Sequence, residues 1–517
     1  MENIKNYWPI FLIFIITLSV RIFWVCQKDY LFVDDPASFV VASPSNIQDG
    51  ILFKNSWQNF NFKNNYEYSA SELKNLLFKN GGDFKSLKSD LKNLYINDYV
   101  EDHPNLYYML LRIWTFNLSD ISVSALIIYG FTFNLMIFII SFFIMFKLLQ
   151  LCVEDKKYIY IGLFLAFIST AAVSNTLLFR EYQLQGLGYL IVTYIFAQIY
   201  IYITNKKNSD IFNKKNIVLY SIAISFFFLT GYSSLIYAFL LLVSLIFVIY
   251  KNMKFNKELF FKLFSIIVLS TILTFIVDIH YVNLTPTQYS DSLFVSFTSF
   301  SLFEKNLYTC FDIMQKTMFY SIVLFYGLFL VFFIKSKNYE NNLVLLISTN
   351  SLLWSIIVLL LAPYFDIRYF LPAVPVLSLI ILYFIMKFDF KYAIILCLIY
   401  FCGILFPNIK FNNFDTIRPF LFYVHDHNNF VFKNSSMIPI VFRDYQHTIA
   451  SFTIYSDDNQ KILFVDDVPN KSFKYKEYVL FFKKDNLEKY QTKIKQNKIV
   501  STGCTKFDDC YVVIDNK

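Results

Sequence analysis

Long apolar runs alternate with short polar connections along most of the chain. Eleven runs approach or exceed the roughly 20 residues that a helix needs to cross a bilayer. They are 8–27, 121–149, 158–178, 184–204, 217–231, 232–250, 261–279, 316–334, 342–362, 369–386 and 391–407. The first run is too long for the apolar part of a signal peptide, and no small-residue cleavage site follows it. The pattern predicts an α-helical polytopic membrane protein with about 11 transmembrane helices, the first of them uncleaved.

Composition and charge agree with this class. The 517 residues are 56% hydrophobic and only 16% charged, whereas soluble domains average about 45–50% apolar and about 25% charged. The net charge of +8 does not indicate nucleic-acid binding, because the lysines lie in short connections between apolar runs. With the N-terminus in the cytoplasm, 16 basic residues fall in inner connections and 3 in short outer ones. This bias predicts a multi-pass protein of the bacterial cytoplasmic (inner) membrane in that orientation.

Three segments then lie outside the membrane: 28–120, a connection near 280–315, and the tail from 408. We therefore predict a transmembrane domain over 1–407, which includes the loop 28–120, and a periplasmic domain over 408–517. Four short β-rich runs and one charged helical run predict that the tail is a small α/β domain. These runs are 438–442, 461–465, 478–482, 510–514 and the helical 485–496. Support of a substrate pocket and binding of a partner are both open as its role.

The first outer loop is predicted to be folded. Residues 71–79 and 84–95 have apolar positions at helical spacing, typical of amphipathic helices in the membrane interface, and Gly81-Gly82 separates them. Pro104 is placed to open a further helix that runs toward Trp114. In the tail, Cys504 and Cys510 flank a polar turn where an oxidising compartment permits a disulfide. Two unpaired thiols are the alternative.

Acidic residues at the mouth of the predicted bundle are the strongest functional signal. Asp34-Asp35 directly follow the first span, and Glu101-Asp102 form a second cluster before the next span. Carboxylates at a membrane boundary are costly and are kept where they contact water, a cation or a substrate. Such a carboxylate can act as a general base, although a solvated pair at a span end is the plainer interpretation. His103, next to Asp102, is a candidate for orienting a substrate or binding a divalent cation.

Two arginines oppose the charge bias. Arg180 and Arg368 fall at the predicted outer ends of spans. The guanidinium fork suits phosphate oxygens, so a lipid-phosphate ligand would explain both positions. Structural pairs, of Arg180 with Glu181 and of Arg368 with Asp366, are the alternative.

Five short segments in this order resemble the GT-C superfamily of integral-membrane glycosyltransferases. The resemblance is to the bacterial branch related to protein O-mannosyltransferases and to the aminoarabinose transferase that modifies lipid A. The segments are Asp34-Asp35 with Arg21 upstream, the run from His103 to Tyr108, Arg180-Glu181-Tyr182, the polar break from Thr230 to Ser234, and the run from Arg368 to Pro375. Asn105 replaces a proline of the family pattern, and Asp35 stands where many relatives have Glu.

The resemblance implies an inverting transfer of a sugar from a polyprenyl-phosphate donor, such as undecaprenyl phosphate, to a periplasmic acceptor. The acceptor would be lipid A, a glycan or a protein. Asp34 would be the general base, and Asp35 and Asp102 would position substrate or a cation. Arg180 and Arg368 would hold the lipid phosphate. By the same resemblance, His103, Tyr107, Tyr182 and Tyr369 would contribute to substrate binding.

Competing interpretations remain at this point. A cell-surface polysaccharide polymerase or ligase would use the same donors and differ in its acceptor. A lipid or solute transporter is a more distant alternative, because the sequence has no internal repeat of the kind that transporters often contain. No glycine-rich nucleotide-binding loop is apparent, which favours a lipid-linked donor. A divalent metal is the one candidate cofactor.

Overall fold

A computed structural model describes the larger part of the chain. The described residues are 2–28, 31–32, 34–43, 52–53, 56–60, 62–63, 66–96, 104–205, 209–252, 257–281, 343–361, 371–386, parts of 390–398, 440–442, 449–465, 477–483, 498–504 and 509–515. They belong to two compact units, which we describe separately. The bundle unit comprises Met1–Gln27, Glu101–Tyr107 and Phe131–Phe420, and the sheet unit comprises Lys28–Val100, Tyr108–Gly130 and Leu421–Lys517.

Helices account for the described secondary structure of the bundle unit, as the apolar runs predict. In chain order the α-helices of both units, within the described residues, are α1 Glu2–Cys26, α2 Asp34–Ala42, α3 Ala70–Phe78, α4 Phe84–Ile96, α5 Leu106–Trp114, α6 Val123–Cys152, α7 Lys156–Ile168, α8 Thr170–Leu177, α9 Tyr182–Asn205, α10 Lys214–Phe228, α11 Ser233–Asn252, α12 Lys257–Val277, α13 Leu343–Leu361, α14 Val374–Ile385 and α15 Ile449–Tyr455. Within the described residues, five helices are long and apolar enough to cross a membrane, and a bent pair makes up to six. The prediction of a helical polytopic membrane protein is confirmed. The predicted span 316–334 and most of 391–407 lie outside the described residues.

Helix α9 is the most enclosed of these helices. Its most apolar window is 72% buried, against 17% for both α1 and α12. It packs against α10, α11 and α14. The residues that open α9 are therefore held by neighbours on several sides.

The predicted span 158–178 is a broken helix. Ser169 ends α7 and caps α8, its hydroxyl accepting from the Ala172 amide at 3.2 Å, and the two helices are bent by 52°. Such a break leaves backbone groups without partners in the helix, and they must be satisfied internally within a membrane. The buried guanidinium of Arg21 on α1 satisfies one of them, since it donates to the Phe167 carbonyl at 3.0 Å, and it also donates to the Ala172 carbonyl in α8 at 3.1 Å.

The sheet unit is built on a six-stranded mixed sheet. Its strands, with the separate pair β1 Leu52–Phe53 and β2 Ser56–Phe60, are β3 Glu67–Ser69, β4 Ile440–Phe442, β5 Lys461–Phe464, β6 Glu477–Lys483, β7 Lys498–Cys504 and β8 Asp509–Asp515. The sheet order is β3-β5-β4-β6-β8-β7. Strand β4 pairs in parallel with both of its neighbours, and the other pairs are antiparallel. The four β-rich runs of the tail form strands where the sequence predicts them, while the helical run 485–496 lies outside the described residues.

The sheet also contains a strand from the first outer loop. Tyr68 in β3 lies opposite Ile462 in β5, and the pairing continues where the Ala70 amide donates to the Gln460 carbonyl at 2.9 Å. An exposed ion pair between Lys74 and Asp458, at 2.8 Å, links the same two segments. The loop and the tail, separated by about 390 residues, are therefore parts of one folded unit.

The register of the last two strands bears on the predicted disulfide. Strands β7 and β8 form a hairpin in which Cys504 lies directly opposite Cys510. Directly opposite residues on antiparallel strands have Cβ atoms about 4.5–5.5 Å apart, which small shifts bring into the range of a disulfide. The backbone is compatible with the pairing, which stays a prediction.

A buried ion pair joins the helices of the first outer loop. Arg112 on α5 donates through Nε to the Asp90 carboxylate on α4 at 2.7 Å and through a second nitrogen to the Gly81 carbonyl at 3.0 Å. Both charged side chains are buried. Burial raises the pKa of Asp90, and the hydrogen bond from Arg112 opposes that shift. The pair therefore fixes α4 against α5 and the Gly81 turn.

Replacing Arg112 with Met should destabilise the sheet unit by about 3–5 kcal/mol, because it leaves the Asp90 carboxylate buried without its cation. The matched control is Lys461→Met, which removes an exposed pair with Glu67 in the same unit and should cost less than about 1 kcal/mol. Urea-dependent proteolysis of the purified protein measures both. Equal sensitivity of the two variants would contradict a special role for the buried pair.

Candidate functional site

The acidic pair that the sequence singles out begins helix α2, in the sheet unit. Asp34 and Asp35 occupy its first turn, where the helix dipole favours negative charge. The remaining residues of the helix are buried. The two carboxylates therefore lie at the N-terminal end of a short helix whose other residues are buried.

The two carboxylates differ in environment. The Asp35 side chain is fully buried, lies 3.1 Å from the Lys28 ammonium, and accepts the backbone N–H of Phe32 at 2.9 Å. Asp34 is only half-buried. Asp35 thus holds the turn that precedes the helix, and Asp34 is the more accessible of the two. The sequence alone gives no reason to separate their environments, since the residues are adjacent and chemically identical.

The second group of predicted site residues opens helix α9, in the bundle unit. Arg180 and Glu181 form the turn between α8 and α9, and Tyr182 is the first residue of α9. All three are buried. The Arg180 Nε lies 3.2 Å from the Glu181 carboxylate, so the structural pair named as the alternative is present. A guanidinium carries five N–H donors, so this ion pair is compatible with a phosphate ligand as well.

Helix α6 links this turn to the segment that carries Tyr107. The Asn134 amide donates to the Leu178 carbonyl at 2.7 Å and to the Thr176 carbonyl at 3.2 Å, which holds the chain just before Arg180. The adjacent residue, Phe133, packs its ring 5.6 Å from the ring of Tyr107. Two segments that are more than 70 residues apart in sequence are thus fixed by neighbouring side chains on one helix.

Two further motif segments meet the beginning of α9. The Gln185 side chain lies so close to Gly231 that a Cβ at that glycine would fall 2.2 Å from its amide nitrogen. One residue on, Gly186 faces the backbone of Pro372, whose carbonyl oxygen would lie 3.3 Å from an added Cβ. The polar break from Thr230 to Ser234 and the segment before α14 therefore both contact the helix that Tyr182 opens.

Asp278 is a buried carboxylate that the sequence analysis does not single out. It follows α12 and is 5% exposed. Its carboxylate accepts the backbone N–H of Asn105 at 3.3 Å and the backbone N–H of His280 at 3.0 Å. Nearby, the ring of Tyr281 lies 5.4 Å from that of Tyr232. The segment from Asp278 to Tyr281 therefore contacts both the segment from Pro104 to Tyr107, through Asp278, and the polar break, through Tyr281. An acidic residue at the end of an apolar span is the signal that identified Asp34, and it applies equally to Asp278.

The remaining predicted site residues lie outside the described part of the chain. They are Asp102, His103, Arg368 and Tyr369. Among the described residues, no group of three or more His, Cys, Asp or Glu side chains is arranged to hold a metal ion. The metal-binding role considered for His103 stays a prediction.

Comparison with known structures identifies the architecture. No protein-family model and no curated protein sequence matches the chain. Two solved structures do, those of ArnT from Cupriavidus metallidurans bound to undecaprenyl phosphate and in the apo state. Each has a TM-score of 0.53 and covers 97% of this chain and 97% of its own, at 7% and 10% sequence identity. The chain has a GT-C-like fold. The resemblance carried by five short motifs is thereby confirmed at the level of the fold over nearly the whole length.

The ion pair between Lys28 and Asp35 can be tested by a paired substitution. Lys28→Met should lower the stability of the sheet unit by several kcal/mol, because it removes a cation from a buried carboxylate. Adding Asp35→Asn to Lys28→Met should restore part of that loss, because the amide carries no charge. Thermal unfolding in detergent of both single variants and the double variant measures the coupling. Strictly additive effects would contradict the direct ion pair.

Proposed function

We propose that the protein is a membrane glycosyltransferase that moves a sugar from a polyprenyl-phosphate donor to an acceptor on the outer side of the bacterial cytoplasmic membrane. The observation that carries this proposal is the similarity, over 97% of both chains, to an ArnT structure bound to undecaprenyl phosphate. Lipid A, a glycan and a protein side chain are the acceptor classes considered. The N-terminus would be cytoplasmic and the tail periplasmic, as the lysine bias supports.

Asp34 is the proposed general base. The acceptor hydroxyl gives its proton to the Asp34 carboxylate while its oxygen attacks the anomeric carbon of the sugar. The bond from that carbon to the donor phosphate breaks, and the polyprenyl phosphate leaves with the electron pair, which inverts the anomeric centre. The half-buried position of Asp34 supports this role. Asp35, engaged with Lys28, is the proposed positioning partner, as is Asp102.

Arg180 is the proposed clamp for the lipid phosphate, together with Arg368. A buried guanidinium at the turn before α9 is suited to a dianionic leaving group, because charge-assisted hydrogen bonds strengthen where water is excluded. Tyr107 and Tyr182, both buried in the bundle unit, are proposed to border the donor site, as are His103 and Tyr369. A divalent metal ion is the one cofactor considered, with His103 as its candidate ligand.

Asp34→Asn should reduce transfer by at least about 100-fold, which is the lower end of the effect expected for loss of a general base. Mass spectrometry of lipid A, surface glycans and periplasmic proteins, from strains with wild-type and variant protein, measures the loss and names the acceptor class. Asp35→Asn and Asp102→Asn, at equal amounts of protein in the membrane, are the comparison variants and should have milder effects. Full activity of Asp34→Asn would show that another group is the base. No transferred mass in any strain would favour a transporter.

Arg180→Met should weaken the binding of undecaprenyl phosphate by about 10- to 150-fold, because a hydrogen bond to a charged group contributes about 1.5–3 kcal/mol. Titration of the purified protein with undecaprenyl phosphate, followed by native mass spectrometry, measures the affinity. Arg180→Lys should retain part of the affinity, since it keeps the charge but not the fork. Asp34→Asn is the control that should bind normally. Unchanged affinity of Arg180→Met would indicate that Arg180 only forms a structural ion pair with Glu181 and does not bind the phosphate.

A further inference from the structure

Helix α15 of the C-terminal tail packs against the helix that carries the acidic pair. Within the sheet unit, α15 (Ile449–Tyr455) contacts both α2 and α3. Its residues Ile449, Ala450 and Ile454 are buried, and so is most of α2. The tail is therefore part of the core that surrounds α2.

A polar contact connects the tail to the turn before Asp34. The backbone N–H of Leu31 donates to the hydroxyl of Tyr455, the last residue of α15. The next amide along the chain, that of Phe32, donates to the Asp35 carboxylate. Both Leu31 and Phe32 are buried, and a buried amide that loses its acceptor carries a large free-energy cost. Two consecutive amides are thus held by two different groups, one of them 424 residues away.

We propose that the C-terminal tail is a positioning element of the transfer site, and that the Tyr455 hydroxyl, through Leu31, fixes the turn that places the Asp34 carboxylate. This inference rests on the proposed function of Asp34. It assigns the tail to support of the site rather than to binding of a partner. A base must lie within hydrogen-bond reach of the proton that it removes, and a misplacement of about 1 Å can cost about 100-fold in rate. The contact is one residue from the Phe32–Asp35 bond, so its loss loosens the turn directly.

The test is Tyr455→Phe, which keeps the ring and removes the acceptor. The matched control is Tyr68→Phe, because the Tyr68 hydroxyl also accepts a backbone N–H, that of Lys63 at 3.0 Å, in the same unit. Tyr68 lies in β3, away from the turn before Asp34 in sequence, and the proposed function gives it no role. The two variants therefore lose the same kind of hydrogen bond at two places.

Four quantities separate positioning from a general loss of structure. In Tyr455→Phe, transfer to the acceptor identified by mass spectrometry should fall about tenfold, the effect of one lost hydrogen bond. The affinity for undecaprenyl phosphate should stay close to wild type, and the thermal midpoint should fall no further than in Tyr68→Phe, since each variant loses one hydrogen bond. Hydrogen exchange at the Leu31 amide should become faster. In Tyr68→Phe, transfer and exchange at Leu31 should both match wild type.

Each other outcome overturns the proposal. Wild-type transfer by Tyr455→Phe would show that the contact does not position the base, whether or not exchange at Leu31 changes. An equal loss of transfer in Tyr68→Phe, or a fall in thermal midpoint of Tyr455→Phe well beyond that of Tyr68→Phe, would show a purely structural role. Failure of the proposed function would be recognised differently, by a wild-type strain with no transferred sugar or by full activity of Asp34→Asn. Either result would also overturn this inference.

Discussion

The fold of the bundle depends on one buried cation. Arg21 lies in α1 with its guanidinium fully buried, stacked 3.9 Å from the Phe138 ring centroid. It donates to backbone carbonyls on both sides of the α7–α8 break and to the Thr176 hydroxyl. A membrane interior supplies no water for the groups that a broken helix exposes. Arg21 supplies a donor for one such group, the Phe167 carbonyl, and beyond the break α8 leads into the turn that contains Arg180.

The bundle unit concentrates its polar contacts around the beginning of α9. Segments separated by 44 to 186 residues meet there through Asn134, Gln185 and the close approach at Gly186. Buried polar contacts of this kind are costly unless every member finds a partner, so they specify one arrangement of helices. The motif segments that resemble a glycosyltransferase family within the bundle unit are thus connected to one another physically. Motifs that are far apart in the sequence therefore belong to segments that contact one another in the fold.

In the sheet unit, the two adjacent aspartates at the start of α2 are held differently. Asp35 pairs with Lys28 and holds an amide of the preceding turn, while Asp34 remains half-buried beside it. The surrounding core is composite, since the first loop contributes β3 to the sheet of the tail and α15 of the tail packs on α2. A loop and a tail that look independent in sequence are folded against each other.

The amino-acid sequence by itself determined the class of fold, most helix positions and the candidate residues. Apolar runs of membrane-spanning length and β-rich runs in the tail are local signals, and most described helices and strands predicted from them form close to their expected bounds, although the span 158–178 is broken into α7 and α8. Only the tertiary structure decided which of two adjacent aspartates is locked to Lys28, that Asp278 joins the Asn105 segment, and that Tyr455 reaches Leu31. These facts depend on contacts between residues up to 424 positions apart. Local pattern carries no information about such pairings, because they arise from how the elements pack.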